Sequence, residues 1–382
     1  MRTGIATMPL DTGGCPRWLF ERMVKLSSQI IELIVAEYGP EEFVRRIADP
    51  VWFQALGTVL AFDWNSSGLT TILTAALKQA VLNKEKQLGI FICGGKGRTS
   101  RKTPEEIIIK AEKARLKNPD SLVYHSKMVA KVDSALVQDG FQIYHHAFFF
   151  TNTGAWSIVQ QGMNTQIQKA RRYHWYSEGF EDLVSEPHTG IVSNVRIKTL
   201  NMVSAKSAKT RQVSLELGKS SYSSLMKDFY LLAKYSSPLH SFWEMKKGQN
   251  SLKLLSLKNK EFFSHPVLNE DFTKSKYLKK IFWYITQEKP KTYEELLSLK
   301  GVGPKTIRAL ALISELIYKA QPSYEDPARY SFAHGGKDGT PYPVDRRTYD
   351  KSILLLRRIV SRMKIDFSEK RKIFSSLDKG LN

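Results

Sequence analysis

The sequence predicts an α+β, or α/β, domain over residues 1–219 and an all-α domain over residues 220–382. Three observations lead there. Short apolar runs of strand length, LGIFIC at 88–93, FQIYHHAFFF at 141–150 and AWSIVQ at 155–160, are rich in β-branched and aromatic residues. From about residue 220 onward, apolar residues recur at helical spacing instead. With 382 residues, 42% of them hydrophobic, the chain is long enough to bury two sizeable cores.

In chain order, RWLFERMVKLSSQIIELIVAEY at 17–38 reads as a long amphipathic helix and residues 40–60 as a second helix containing Pro50. FDWNSSGLTT at 62–71 is a turn opening the helix that carries Leu73 to Leu82. The strand at 88–93 runs into Gly94-Gly95-Lys96-Gly97, which has the composition of a phosphate cradle without the spacing of a P-loop. Thr103-Pro104 then starts a helix, with Thr as N-cap and proline in the first turn. Residues 126–137 fit either a helix or a strand. The strands at 141–150 and 155–160 are joined by the turn Thr151-Asn152-Thr153-Gly154 as a hairpin, and another strand is placed near 190–197. The polar stretch 205–223 reads as a surface connection. Helices are predicted over 222–235, 239–255 and 276–287, with a last basic one over 346–363.

The chain carries 58 Lys and Arg against 37 Asp and Glu, a net charge of +21, and such an excess recruits polyanions. No run of 18 apolar residues occurs, so no membrane partner is expected. The first residues carry no apolar signal segment, and a cytoplasmic, nucleoid-associated location is expected. Cys15 and Cys93 are too few for a four-thiolate site, so neither structural zinc nor an iron–sulfur cluster is expected.

The most informative string is Leu299-Lys300-Gly301-Val302-Gly303-Pro304-Lys305-Thr306, set between the helical runs YEELLSL and TIRALALISELIY. Two glycines around a small apolar residue let the chain turn sharply and bring its N–H groups to the start of a helix, where donors and dipole favour a phosphate. This predicts a helix-hairpin-helix over 293–318, a device that grips a nucleic-acid backbone without reading bases. Gly301, Gly303, Lys305 and Thr306 are its contact candidates. The expected partner is DNA, single-stranded or damaged DNA included; backbone gripping leaves RNA open.

The run from Lys274 to Ile317, followed by PVDRRTYDKSILLLRRI, resembles the helix-hairpin-helix DNA glycosylase superfamily over roughly residues 270–363. The resemblance implies that Lys305 stands where bifunctional members place their Schiff-base lysine. It puts Asp345 where they place the carboxylate that assists departure of the base. This chain departs from the pattern in four ways: a longer spacer between these two residues, Lys300 in place of the usual proline, Arg346-Arg347 after the aspartate, and no iron–sulfur cysteines. The spacer's His334 and Lys337, with Arg346 and Arg347, are expected to face DNA.

The N-terminal part offers a second location for chemistry. Asp63, Asp133 and Asp139 are candidate ligands for Mg²⁺ or Mn²⁺, with His145 and Gln160 beside them on a predicted hairpin. His145 and His146 must point to opposite faces of a strand. Arg171-Arg172-Tyr173-His174-Trp175 mixes cations and aromatics as strand-binding surfaces do. Nearly the whole chain is also similar to the prokaryotic family designated domain of unknown function 763, on strings such as PRWLFERM, FDWNSSGLTT, VDSALVQDGFQIYHH and ARYSFAHGGKDGTPYPVDRRTYD. The expected function is a DNA-processing enzyme, in the first reading a metal-dependent DNA nuclease. The alternatives are a bifunctional DNA glycosylase/abasic-site lyase using Lys305 and Asp345, and a non-enzymatic DNA- or RNA-binding scaffold.

Overall fold

The structure is a computed structural model that describes residues 14–60, 67–193, 195–236, 272, 275–328 and scattered residues between 354 and 375. Helix α1 (Arg17–Tyr38) ends where Gly39 takes φ +85°, and α2 (Pro40–Ile47) follows at once. The second predicted helix is divided in two. Pro50 has no N–H to give to a helix interior, so it stands at the first position of α3 (Pro50–Val59) while Asp49 caps the amides of Val51 and Trp52 at 2.8 and 3.3 Å. Helices α4 (Gly68–Val81) and α5 (Glu85–Leu88) lead into β1 (Ile90–Lys96). After it come α6 (Arg98–Arg101), α7 (Thr103–Ala114) and α8 (Pro119–Ala135). The ambiguous stretch 126–137 is thus the helical end of α8 and the start of β2 (Val137–Gln138).

Strands β3 (Gln142–Thr151), β4 (Trp156–Asn164), β5 (Lys169–Tyr176) and β6 (His188–Val192) complete an antiparallel sheet of order β1-β3-β4-β5-β6, while β2 pairs with β7 (Leu200–Asn201). The sheet is covered on both faces, which is why its strands are continuously apolar at one end rather than alternating. Ile90, Ile92, Ala147, Phe149 and Val159 pack with α1–α4. Phe91, Cys93, Phe148, Phe150, Ile158 and Trp175 pack with α7 and α8 in a core that continues into the C-terminal helices.

Those helices are α9 (Ala208–Lys219), α10 (Tyr222–Ser236), α11 (Lys276–Glu288), α12 (Tyr293–Ser298) and α13 (Pro304–Leu316). A mixed α/β N-terminal region therefore precedes a more helical C-terminal one. The stretch read as a surface connection is instead helix α9. Its inward polar residues Thr210, Arg211 and Ser214 are buried and partnered, Thr210 donating to the Ala320 carbonyl at 2.9 Å and Arg211 to that of Met202 at 2.6 Å, while Lys209, Gln212, Glu216 and Lys219 are exposed.

Candidate functional site

Along β3 the side chains alternate between the two covered faces, so His146 points toward α8 and His145 toward α4. On the α8 side, Asp133 is fully buried. Its Oδ2 accepts from Gln160 Nε2 and from Trp175 Nε1 at 3.1 Å, and its Oδ1 from His188 Nε2 at 2.5 Å. The carboxylate can only accept, so the Gln160 amide must turn its nitrogen to it and its oxygen to His146 Nδ1, 2.9 Å away. That orientation fixes His146 as the Nδ1–H tautomer, with Nε2 accepting from Ser126 at 2.9 Å. Burial lowers His146 below its ordinary value, in keeping with a neutral ring.

Asp139 belongs to a neighbouring buried set. It accepts from Arg171 at 2.9 Å, from the Tyr173 hydroxyl at 2.6 Å and from the Phe141 amide at 3.0 Å. Arg171 also reaches Asp326 at 2.8 Å and stacks over Phe141, 4.6 Å from the ring centroid. Burial works against this guanidinium, and Asp139, Tyr173 and Asp326 together outweigh burial, holding its charge above the ordinary value.

On the opposite face, the Thr74 hydroxyl gives its proton to the Thr70 carbonyl at 2.9 Å and accepts from His145 Nε2 at 3.1 Å. His145 Nδ1 is then an acceptor buried without a hydrogen-bond partner among the described residues. Burial pushes this imidazole down to about 3, with His146 and Lys96 adding to the effect. Arg172 lies deeper, donating to His174 at 2.8 Å and to Gln54 at 3.2 Å.

At the same end of the sheet, β1 runs out through Gly94 at φ +82°. A Cβ there would collide with the His146 carbonyl oxygen and the Thr103 hydroxyl, so only glycine lets β1 approach β3 this closely. The Gly94 peptide groups are held from outside: its N–H donates to Glu106 at 2.9 Å, and its carbonyl accepts from Lys78 at 2.9 Å. Lys78 and Glu106 pair at 2.6 Å. Two residues back, Lys110 donates to the Ile92 carbonyl at 2.9 Å while paired with Glu85 at 2.5 Å. Beyond Gly94, the exposed cations Lys96, Arg98, Arg101 and Lys102 crowd the end of β1 and the short helix α6.

The C-terminal candidates lie on α12, α13 and the turn between them. Thr292 caps α12, accepting from the Glu295 amide at 3.1 Å. Gly301 takes φ +88° and the Val302 amide closes the turn on Leu299 at 3.2 Å. Gly303 caps α13 with no side chain, Pro304 fills its first position, and Lys305 is half-buried in the first turn. Thr306 is fully buried, its hydroxyl without a hydrogen-bond partner among the described residues. The turn is held from three sides. The Tyr277 hydroxyl donates to the Gly301 carbonyl, Lys131 of α8 to that of Leu299 at 2.7 Å, and Gln138 of β2 to that of Pro304 at 2.9 Å. Burial pushes Lys131 down to about 8.

Asp133 and Gln160 are therefore together, Asp139 and Arg171 form an adjoining pair, and His145 and Arg172 lie on the other face of the sheet. Asp63, His334, Lys337, Asp345, Arg346 and Arg347 lie outside the described residues. A divalent ion of the Mg²⁺ or Mn²⁺ type needs free oxygen ligands, whereas Asp133 and Asp139 are surrounded by N–H, guanidinium and hydroxyl donors; these two carboxylates do not fit one in this arrangement. Among the described residues no group of three His, Cys, Asp or Glu is placed to hold a metal. Sequence reasoning missed His188, Ser126 and Lys131. His146 stands opposite Gln160 because Phe150 pairs with Trp156, one step from the pairing that a turn over 151–154 sets. No helix of the described residues is long and apolar enough to cross a membrane.

No curated protein and no solved structure matches the chain. The model of a family described as protein of unknown function (DUF763) matches residues 4–344, most of the sequence, and the chain belongs to that family.

Proposed function

We infer that this is a DNA-binding protein of the DNA-processing kind, and that the α12–turn–α13 unit is a helix-hairpin-helix that grips the phosphate backbone. The observation that carries this reading is the turn: Gly301 at φ +88° leads to a helix N-terminus capped by Gly303, with no side chain between its first amides and an approaching phosphate. The net charge of +21 supports it. The test uses Gly303, where a Cβ would meet nothing within 4 Å and the backbone is extended at φ −150°. Gly303→Glu therefore leaves the fold intact and sets a carboxylate at the phosphate position. Binding to a labelled oligonucleotide is expected to weaken by about tenfold or more at low salt, with a shallower salt dependence. Unchanged affinity removes the hairpin from the interface.

The chemistry proposed at this site is base excision with strand cleavage. It is favoured over metal-dependent cleavage at Asp133 and Asp139 by the enclosure of those carboxylates. Lys305 on the first turn of α13 is the proposed nucleophile, in the role that the family resemblance gives it. Plain, abasic and base-damaged oligonucleotides, incubated with Mg²⁺, with Mn²⁺ and with EDTA, test it. Borohydride trapping of an adduct that Lys305→Ala abolishes, with activity retained in EDTA, is the expected result. Activity lost in EDTA returns the chemistry to a metal, and binding without turnover to DNA or RNA makes the protein a scaffold.

A further inference from the structure

The outward half of α11 carries rings and cations in alternation. At about 100° per residue, Leu278, Ile281, Phe282 and Ile285 share the buried side. The opposite side presents Lys276, Lys280, Trp283 and Gln287, all exposed. Tyr277 stands on one shoulder of that face and Lys279 on the other, where its Nζ lies 5.0 Å from the ring centroid of Tyr230 on α10. Trp283 is 52% exposed, Tyr277 51% and Tyr230 54%. Rings of this size contribute most to a fold when hidden, and three of them standing half open among lysines call for a ligand with flat apolar faces and negative charge.

We propose that this face is a stacking platform for the unpaired bases of single-stranded DNA, so that the ligand of the hairpin is an exposed strand rather than an intact duplex. The proposal rests on the hairpin reading above. The two surfaces are continuous, because the Tyr277 hydroxyl donates to the Gly301 carbonyl and so ties the first ring of the platform to the turn. Tyr277 and Trp283 are about 9 Å apart along the helix axis, on the scale of a few nucleotides of an extended strand. Lys276, beside Tyr277, and Lys280, between the two rings, meet its phosphates. In a duplex every base face is already stacked on its neighbours, so these rings gain nothing from it. Stacking accepts any base, which predicts a preference for the unpaired state and not for a sequence.

The test compares Trp283→Ala and Tyr230→Ala with the parent on one labelled oligonucleotide, alone and annealed to its complement, by fluorescence anisotropy. Both side chains are half exposed, and circular dichroism melts of each variant check that the fold is kept. Each is expected to weaken single-strand binding by about fivefold to a hundredfold, the loss of one stacked base, and to leave duplex binding within twofold. Equal loss on both ligands, or no loss on either, overturns the platform. If the parent binds neither ligand, the hairpin reading falls and the platform with it. If the parent and Gly303→Glu differ as expected while the aromatic variants match the parent, the platform alone is wrong.

Discussion

Asp133 is the residue where a structural role and a catalytic one make opposite predictions. Replacing it with Ala removes the acceptor for Gln160 Nε2, Trp175 Nε1 and His188 Nε2, in a site from which water is excluded. A buried donor left unpaired costs about 1–3 kcal/mol. His188 is near the surface at 6% side-chain exposure and recovers part of its loss, leaving two donors and a total of about 2–6 kcal/mol. Asp133→Asn keeps the volume and one acceptor oxygen, which serves Gln160 and Trp175. Its amide then faces His188, which meets it by moving its proton to Nδ1. That variant is expected to lose only about 1–2 kcal/mol, the difference between a charged and a neutral acceptor. Urea unfolding followed by circular dichroism and tryptophan fluorescence measures both, with Trp175 inside the network as a reporter. If both variants stay within about 0.5 kcal/mol of the parent and DNA cleavage is abolished, the carboxylate belongs to the chemistry and the structural argument is wrong.

Gly94→Ala is expected to destabilise the fold by about 2–5 kcal/mol, combining left-handed strain with overlap against a backbone carbonyl that the β1–β3 ladder holds in place. A melting temperature equal to the parent's would show that β1 tolerates a looser approach. Acid stability tests the neutral histidines. The folded pKa of His145, about 3, lies below the ordinary 6.5, so below pH 6.5 the unfolded chain binds the extra proton and stability falls as pH drops toward 3. His146 and His174, both lowered by burial, act in the same direction. For His145 the slope reaches about 1.4 kcal/mol per pH unit between its unfolded and folded values. His145→Gln is expected to reduce it in urea titrations at pH 6, 5 and 4; an unchanged slope would place His145 in water.

Strands β1 and β3 were legible because a sheet covered on both faces must be apolar on both, and LGIFIC and HAFFF satisfy that at sight, whereas β5, KARRYHWY, was hidden by its buried arginines and histidine. The register was not legible: a turn over 151–154 sets Phe150 opposite Ala155 and His145 opposite Gln160, whereas Thr151 itself pairs with Ala155, so Phe150 meets Trp156 and His146 meets Gln160. The partners of Asp133 were not legible, because Trp175 and His188 arrive from β5 and β6, whose neighbours are set by tertiary pairing. The turn at 299–303 is a local signal and was read directly. Its anchorage on α8 and β2 joins residues 168 and 166 positions apart, which no spacing rule relates. The helical nature of 205–223 was hidden because buried serine, threonine and arginine look like loop residues until their acceptors are in place.

Strand β1 is an outer strand of its sheet, and Ile92 and Gly94 direct their carbonyls away from β3. A bare edge of this kind templates the addition of a foreign strand, the first step toward aggregation. Here two ammonium groups already occupy those carbonyls, Lys110 from α7 and Lys78 from α4, each neutralised by a glutamate. An approaching strand would have to displace charge from both faces of the sheet before it found a free acceptor. The lysine–glutamate pairs that steady the glycine-rich turn thus also keep a strongly β-forming segment, IFIC beside AFFF, from recruiting further copies of itself.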